Sequence, residues 1–183
     1  MQEVSINKQM KLSQHFTLGE LCKTKHDTED GNIPSRVAIE NLKRICENWL
    51  EDLRYSYNML YVHSGVRPQS KVAGDCTLAP DPGAAPASRK EEPIVINSGY
   101  RSPEVNRLAG GVPSSNHVTG CAVDIRCAGK EQMIRYAAIL LDIADESKRD
   151  FDELLLEQHG SVCWLHFAVR PKDNRRRIAL IKA

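Results

Sequence analysis

Two stretches constrain this chain more than any other: Ser115-Asn116-His117-Val118-Thr119-Gly120-Cys121-Ala122-Val123-Asp124 and Trp164-Leu165-His166. His117 sits in a loop of small and polar residues, Asp124 in the apolar run that follows, and His166 inside a second apolar run between Leu165 and Phe167. Strand alternation puts Trp164, His166 and Ala168 on one face. A half-buried imidazole needs a polar partner. One candidate partner is a cation shared by His117, Asp124 and His166; the other is an ordinary hydrogen-bonded core neighbour for each histidine. Two imidazoles and a carboxylate are a ligand set that hydrolytic zinc sites use, with one position left for water, and such a site polarises a carbonyl and activates water near neutral pH. Spacing alone leaves both readings open, since it lacks the specificity of a His-Glu-x-x-His helix.

The length of 183 residues suits a single domain over 1–183. Within it, a Pro-, Gly- and Ala-rich stretch at about 68–91, with Pro68, Gly74, Pro80, Pro82, Gly83 and Pro86, reads as an irregular insertion. The formal net charge of +1 gives no reason to expect nucleic acid as a partner. No apolar run approaches the roughly 20 residues of a membrane span, and the first residues lack the apolar stretch of a secretory signal. The expectation is a monomer made in the cytoplasm. Six cysteines at irregular spacing, with no Cys-x-x-Cys pair, read as free thiols; Cys46, Cys121 and Cys127 fall in apolar patterns and read as small core residues. The basic segment Arg170 to Arg177 reads as a solvated terminus or as a contact for an anionic polymer. His15, His26, His63 and His159 have no matching neighbours and read as surface or packing residues.

Periodicity supplies the elements. Thr17-Leu18-Gly19-Glu20 has the form of a capping box at the start of a short helix. From Pro34 to about Tyr57, Ala38, Leu42, Ile45, Cys46, Trp49, Leu50 and Leu53 make one buried helical stripe, with Pro34 in the first turn. Pro93 to Asn97 reads as a buried strand, Ser102-Pro103-Glu104 as the cap of a short helix, Cys121 to Ile125 as a second strand and Lys130 to about Ala144 as an amphipathic helix. The runs at 153–157 and 163–169, around Gly160, signal a β-hairpin. Helices first and strands later predict an α+β fold, a small antiparallel sheet flanked by helices.

The pattern Ser115-x-His117-x-x-Gly120-x-Ala122-x-Asp124, followed by Trp164-x-His166, resembles the zinc D-alanyl-D-alanine carboxypeptidase family of the hedgehog/DD-peptidase fold. Ser98-Gly99-Tyr100-Arg101-Ser102-Pro103-Glu104-Val105-Asn106 resembles that family's strand-end arginine segment, and Phe16 to Leu21 the entry of a bacterial and phage branch. The resemblance implies Zn2+ held by His117, Asp124 and His166. It implies Arg101 as the cation on the substrate carbonyl or oxyanion, and Ser115 as a substrate-binding or loop-orienting residue. The implied activity is hydrolysis of amide bonds in peptidoglycan stem peptides, as carboxypeptidase or endolysin-type endopeptidase. A protein of that kind acts at the cell wall after release. One departure stands out. Where several branches carry an acidic general base three residues before the last histidine, this chain has Cys163. Glu157 is the replacement, because a hairpin that pairs it with Trp164 puts its carboxylate on the face of His166; Asp152 and Glu153 are weaker candidates. Without a base, the chain would be a zinc-containing module that binds cell-wall peptides without cutting them, or a structural part.

Overall fold

The computed structural model describes residues 7–63 and 90–182. Most of the insertion expected at about 68–91, together with Cys76, lies outside the described residues, as do the first residues of the chain.

Thr17 caps helix α1 (Leu18–Leu21) by accepting from the Glu20 N–H. Ser35 caps α2 (Arg36–Ile45) by accepting from Ala38 N–H, so Pro34 precedes the cap instead of occupying the first turn. The helix then continues through a π-helical turn (Cys46–Leu50), α3 (Glu51–Tyr57) and a second π-helical turn (Asn58–His63). The buried stripe explains the wide turns. Ala38, Leu42, Cys46 and Leu50 recur every four residues, as do Ile45, Trp49, Leu53 and Tyr57, and all are buried. A period of four drifts around an α-helix of 3.6 residues per turn, and π turns absorb the drift.

Strand β1 (Ile96–Ser98) leads into a loop whose Ser102 caps α4 (Pro103–Leu108), with Pro103 at its start. A short 3-10 turn (Asn116–Thr119) precedes β2 (Ala122–Cys127), and α5 (Lys130–Ser147) follows. The hairpin β3 (Glu153–His159) and β4 (Val162–Ala168) turns through Gly160, whose φ of 57° is left-handed.

The sheet has the order β1-β2-β4-β3-β5. Its first four strands are antiparallel, as expected, and the fold is α+β. The fifth, β5 (Arg177–Lys182), runs parallel to β3 at the edge. The basic segment therefore leads into the sheet and is not a free terminus: Arg176 N–H bonds to Phe151 O and Arg177 N–H to Asp152 O, each at 2.9 Å.

One face of the sheet packs on α5 and the long helix. Trp49 meets Phe167 at 5.0 Å and Phe151 at 6.3 Å between ring centroids, both edge-on, and Tyr57 meets Tyr136 at 4.8 Å. Ile125, Cys163, Leu165 and Phe167 point to this core. The residues alternating with them point to the other face, and that face carries the functional groups. Cys22, Cys46, Cys121, Cys127 and Cys163 are free and buried, in keeping with the expectation for them. Among the described residues, no helix is long and apolar enough to cross a membrane.

Candidate metal centre

The centre is built by one strand register and two hydrogen-bonded loops. Asp124 on β2 stands directly opposite His166 on β4, so both side chains leave the sheet on the same face. His117 comes from the 3-10 turn before β2. Ser115 caps that turn, its hydroxyl accepting from His117 N–H at 3.3 Å, and Gly120 ends it at φ 69°. A Cβ on Gly120 would also lie 2.4 Å from the Ala38 carbonyl oxygen, so the turn has no room for another residue type. The Arg101 loop is fixed in the same way: Arg101 N–H donates to His117 O at 3.2 Å and Tyr100 N–H to Leu21 O at 2.7 Å. Buried Asn32 holds both sides of that loop, donating to Cys22 O at 2.8 Å and Tyr100 O at 3.3 Å and accepting from Ser102 N–H at 2.7 Å.

His117, Asp124 and His166 converge, each buried or nearly so, with one ligand atom from each lying within 4.8 Å of the others. Asp124 Oδ1 is 3.2 Å from His117 Nε2 and 2.9 Å from His166 Nδ1. Donors at about 2.0–2.1 Å from a tetrahedral zinc stand ~3.3 Å apart, so the spacing suits that ion. The hydrogen bonding points the same way. His117 Nδ1 is 2.6 Å from the Gly99 carbonyl, which can only accept, so Nδ1 carries the proton. The other nitrogen of His117, Nε2, is then left facing a carboxylate oxygen, an acceptor, and without a further cation is an acceptor itself. Two acceptors at that distance need a cation between them, either a proton or a metal ion.

The electrostatics follow from the burial. Burial alone would raise the Asp124 pKa, but His117 and His166 hold it far below the usual carboxylate range. Burial lowers the His166 pKa, and the bonds from Asp124 and Glu153 more than reverse this, lifting it to about 9. The Arg101 guanidinium bonds to Asp124 Oδ2 and, through Nε, to Ser98 Oγ at 2.7 Å. It thus lies beside the three converging groups, gripping the Asp124 carboxylate on the oxygen that does not face the histidines.

The cavity over these groups measures about 760 Å3, and Arg101, Ser115, Glu153, Glu157, Trp164 and Arg175 also line it. Glu157 pairs with Trp164, the register expected from the hairpin. Cys163 lies on the opposite face, in the core, because an odd step along a strand reverses the side chain. Burial raises the Glu157 pKa against the opposing pull of His166. Glu153 sits differently: 3.6 Å from His166 Nε2, it is also bound by Arg177 at 2.9 Å and Arg175 at 3.0 Å. The His166 bond, with Arg177 and Arg175, outweighs burial and holds Glu153 down at about 2.

Sequence reasoning missed the scaffold behind these groups. Asp152 is fully buried and accepts from Asn116 at 2.8 Å and from Arg175 at 2.8 and 2.7 Å, so β5 and the His117 turn are tied to one carboxylate. A buried aspartate beside a phenylalanine at a strand start, with arginines later in the chain, was the available signal.

A family model described as Peptidase M15 matches residues 87–147. The match takes in Arg101, Ser115, His117 and Asp124 and ends before Glu157 and His166, which the fold brings to the same place. No curated protein matches the chain.

Proposed function

From a chain whose residues 87–147 match a peptidase M15 family model, we propose a zinc-dependent peptidase that hydrolyses amide bonds in cell-wall stem peptides. The observation that carries the reading is the convergence of two buried imidazoles and one carboxylate at zinc-ligand spacing on the floor of an open cavity. His117, Asp124 and His166 would hold the ion; when bound, it supplies a Lewis acid for an amide carbonyl and acidifies water.

The remaining work falls to the chain's own residues. Glu157 is the general base. It lines the cavity and has no ion pair among the described residues, whereas Glu153 is committed to two arginines and His166. A carboxylate tied down by guanidinium groups is a poor proton acceptor; one that is half-buried and outside any such ion pair takes a proton from water and returns it to the leaving amine. Arg101 lies where a cation can turn from the carboxylate toward an oxyanion, an interaction stronger in the transition state than in the ground state. Ser115 orients the His117 turn and borders the cavity.

Incubation of the zinc-loaded protein with purified peptidoglycan and its muropeptides, read by mass spectrometry, tests the proposal. New free amines that vanish with a chelator are the expected result, and their positions tell carboxypeptidase from endopeptidase. No cleavage across substrates by the zinc-loaded protein would leave a module that binds the wall.

A further inference from the structure

We propose that a second cavity, adjoining the metal centre, is the subsite for a carboxylate-bearing part of the peptide substrate; the inference rests on the peptidase reading above. This cavity measures about 460 Å3 and lies between the segment 23–26 and the edge strand β1. Arg101 and Ala109 line both it and the cavity over the metal ligands, so the two adjoin. A peptide with its scissile bond at the ligands enters the second cavity by passing Arg101.

Its charge is one-sided. Lys23, Lys25 and Arg126 line it, with no aspartate or glutamate among the lining residues. The charged ends of these three side chains make no hydrogen bond or ion pair among the described residues; Glu20 feels the Lys23 charge without bonding to it. Over the metal ligands the opposite holds: Arg101 is taken by Asp124, and Arg170 and Arg175 by Asp152. The uncommitted positive charge of this face therefore sits in the second cavity. Arg126 belongs to the same face as the ligands, two residues beyond Asp124 on β2 and opposite Trp164. The exposed Val95, just before β1, and Asn97 of β1 also line the cavity, and among the described residues β1 has no strand on its outer side. An extended peptide entering here meets a strand edge to run beside, which gives affinity through main-chain bonds, and cations that select a carboxylate.

Three forms of one stem pentapeptide test this: all carboxyls free, the internal α-carboxyl amidated, and the C-terminal carboxyl amidated. With the zinc-loaded protein, one amidation should lower kcat/KM about fivefold, as expected for a few exposed charge pairs, and which one does so identifies the carboxylate. The K23Q/K25Q and R126Q variants should bring the free-acid peptide down toward the amidated level. The preference should also shrink in about 0.5 M salt. Equal kcat/KM for all three peptides, or a preference that survives in both variants, overturns the subsite. Calorimetry of the same peptides on the metal-free protein separates this from the peptidase reading. Carboxylate-selective binding that is lost in K23Q/K25Q, without cleavage by the zinc-loaded form, sinks the peptidase and keeps the subsite; cleavage with no selectivity does the reverse.

Discussion

Asn32 shows how much of a candidate metal centre rests on a residue that touches none of it. Its amide closes three hydrogen bonds between the Cys22 turn and the Tyr100–Ser102 backbone, and solvent does not reach it. Removal leaves buried carbonyls and an N–H without partners, so Asn32→Ala should cost about 3 kcal/mol in chemical denaturation. A loss under about 0.5 kcal/mol would mean that water replaces the amide. Glu157, the proposed base, is the complementary case, a residue assigned to chemistry and not to folding. Glu157→Gln should keep the fold and bind zinc with little change while turnover falls at least about a hundredfold; an undiminished rate would assign the base elsewhere. Both residues illustrate the reach of sequence reading. The place of Glu157 opposite Trp164 was legible because hairpin register follows from alternation. Asn32 was not, since nothing local distinguishes a buried loop asparagine from an exposed one.

Strand β5 is the element that periodicity did not reveal. Ile178 and Leu180 lie two apart, but Ile181 directly follows Leu180 and breaks the alternation, three arginines precede them and the partner strand β3 is far back in the chain. What holds β5 is electrostatic at its start: Arg175 grips Asp152, and Arg177 grips Glu153. Burial would raise the Asp152 pKa, but hydrogen bonds from Arg175 and Asn116 outweigh it and bring the pKa to about 2. A folded-state pKa below the unfolded value stabilises above the unfolded value and loses that contribution as pH falls. Asp152 should therefore contribute about 2 kcal/mol near neutrality, lost between roughly pH 4 and pH 2. Acid denaturation of the Asp152→Asn variant should lack this component; an identical acid profile would refute the assignment. The π-helical turns make the converse point. They were legible in principle, in a buried stripe that recurs every four residues, although the helix itself was read without them.

Taken as a whole, the molecule puts its core on one side of the sheet and the candidate site on the other; the three candidate ligands come from the 3-10 turn, β2 and β4, and the Arg101 loop is bonded to two of them. A ligand that binds only this folded arrangement stabilises it by mass action. Zinc at about a hundred times its Kd should add roughly 2.7 kcal/mol, seen as a rise in Tm by calorimetry. His166→Ala should lose that rise together with all activity. A Tm that ignores zinc, or a His166→Ala variant that keeps the increment, would show that the three donors do not share an ion.

Local pattern sufficed for the caps of α1 and α4, the main helices, the hairpin and its register, and hence for His166 and Glu157 on one face, because alternation and capping depend only on near neighbours in the chain. The free side chains of the second cavity, the carboxylate that ties β5 to the His117 turn and the grip of Arg101 on Asp124 could come only from the folded chain. Each depends on which distant charge lies within a few ångströms, and burial sets how strongly that neighbour is felt.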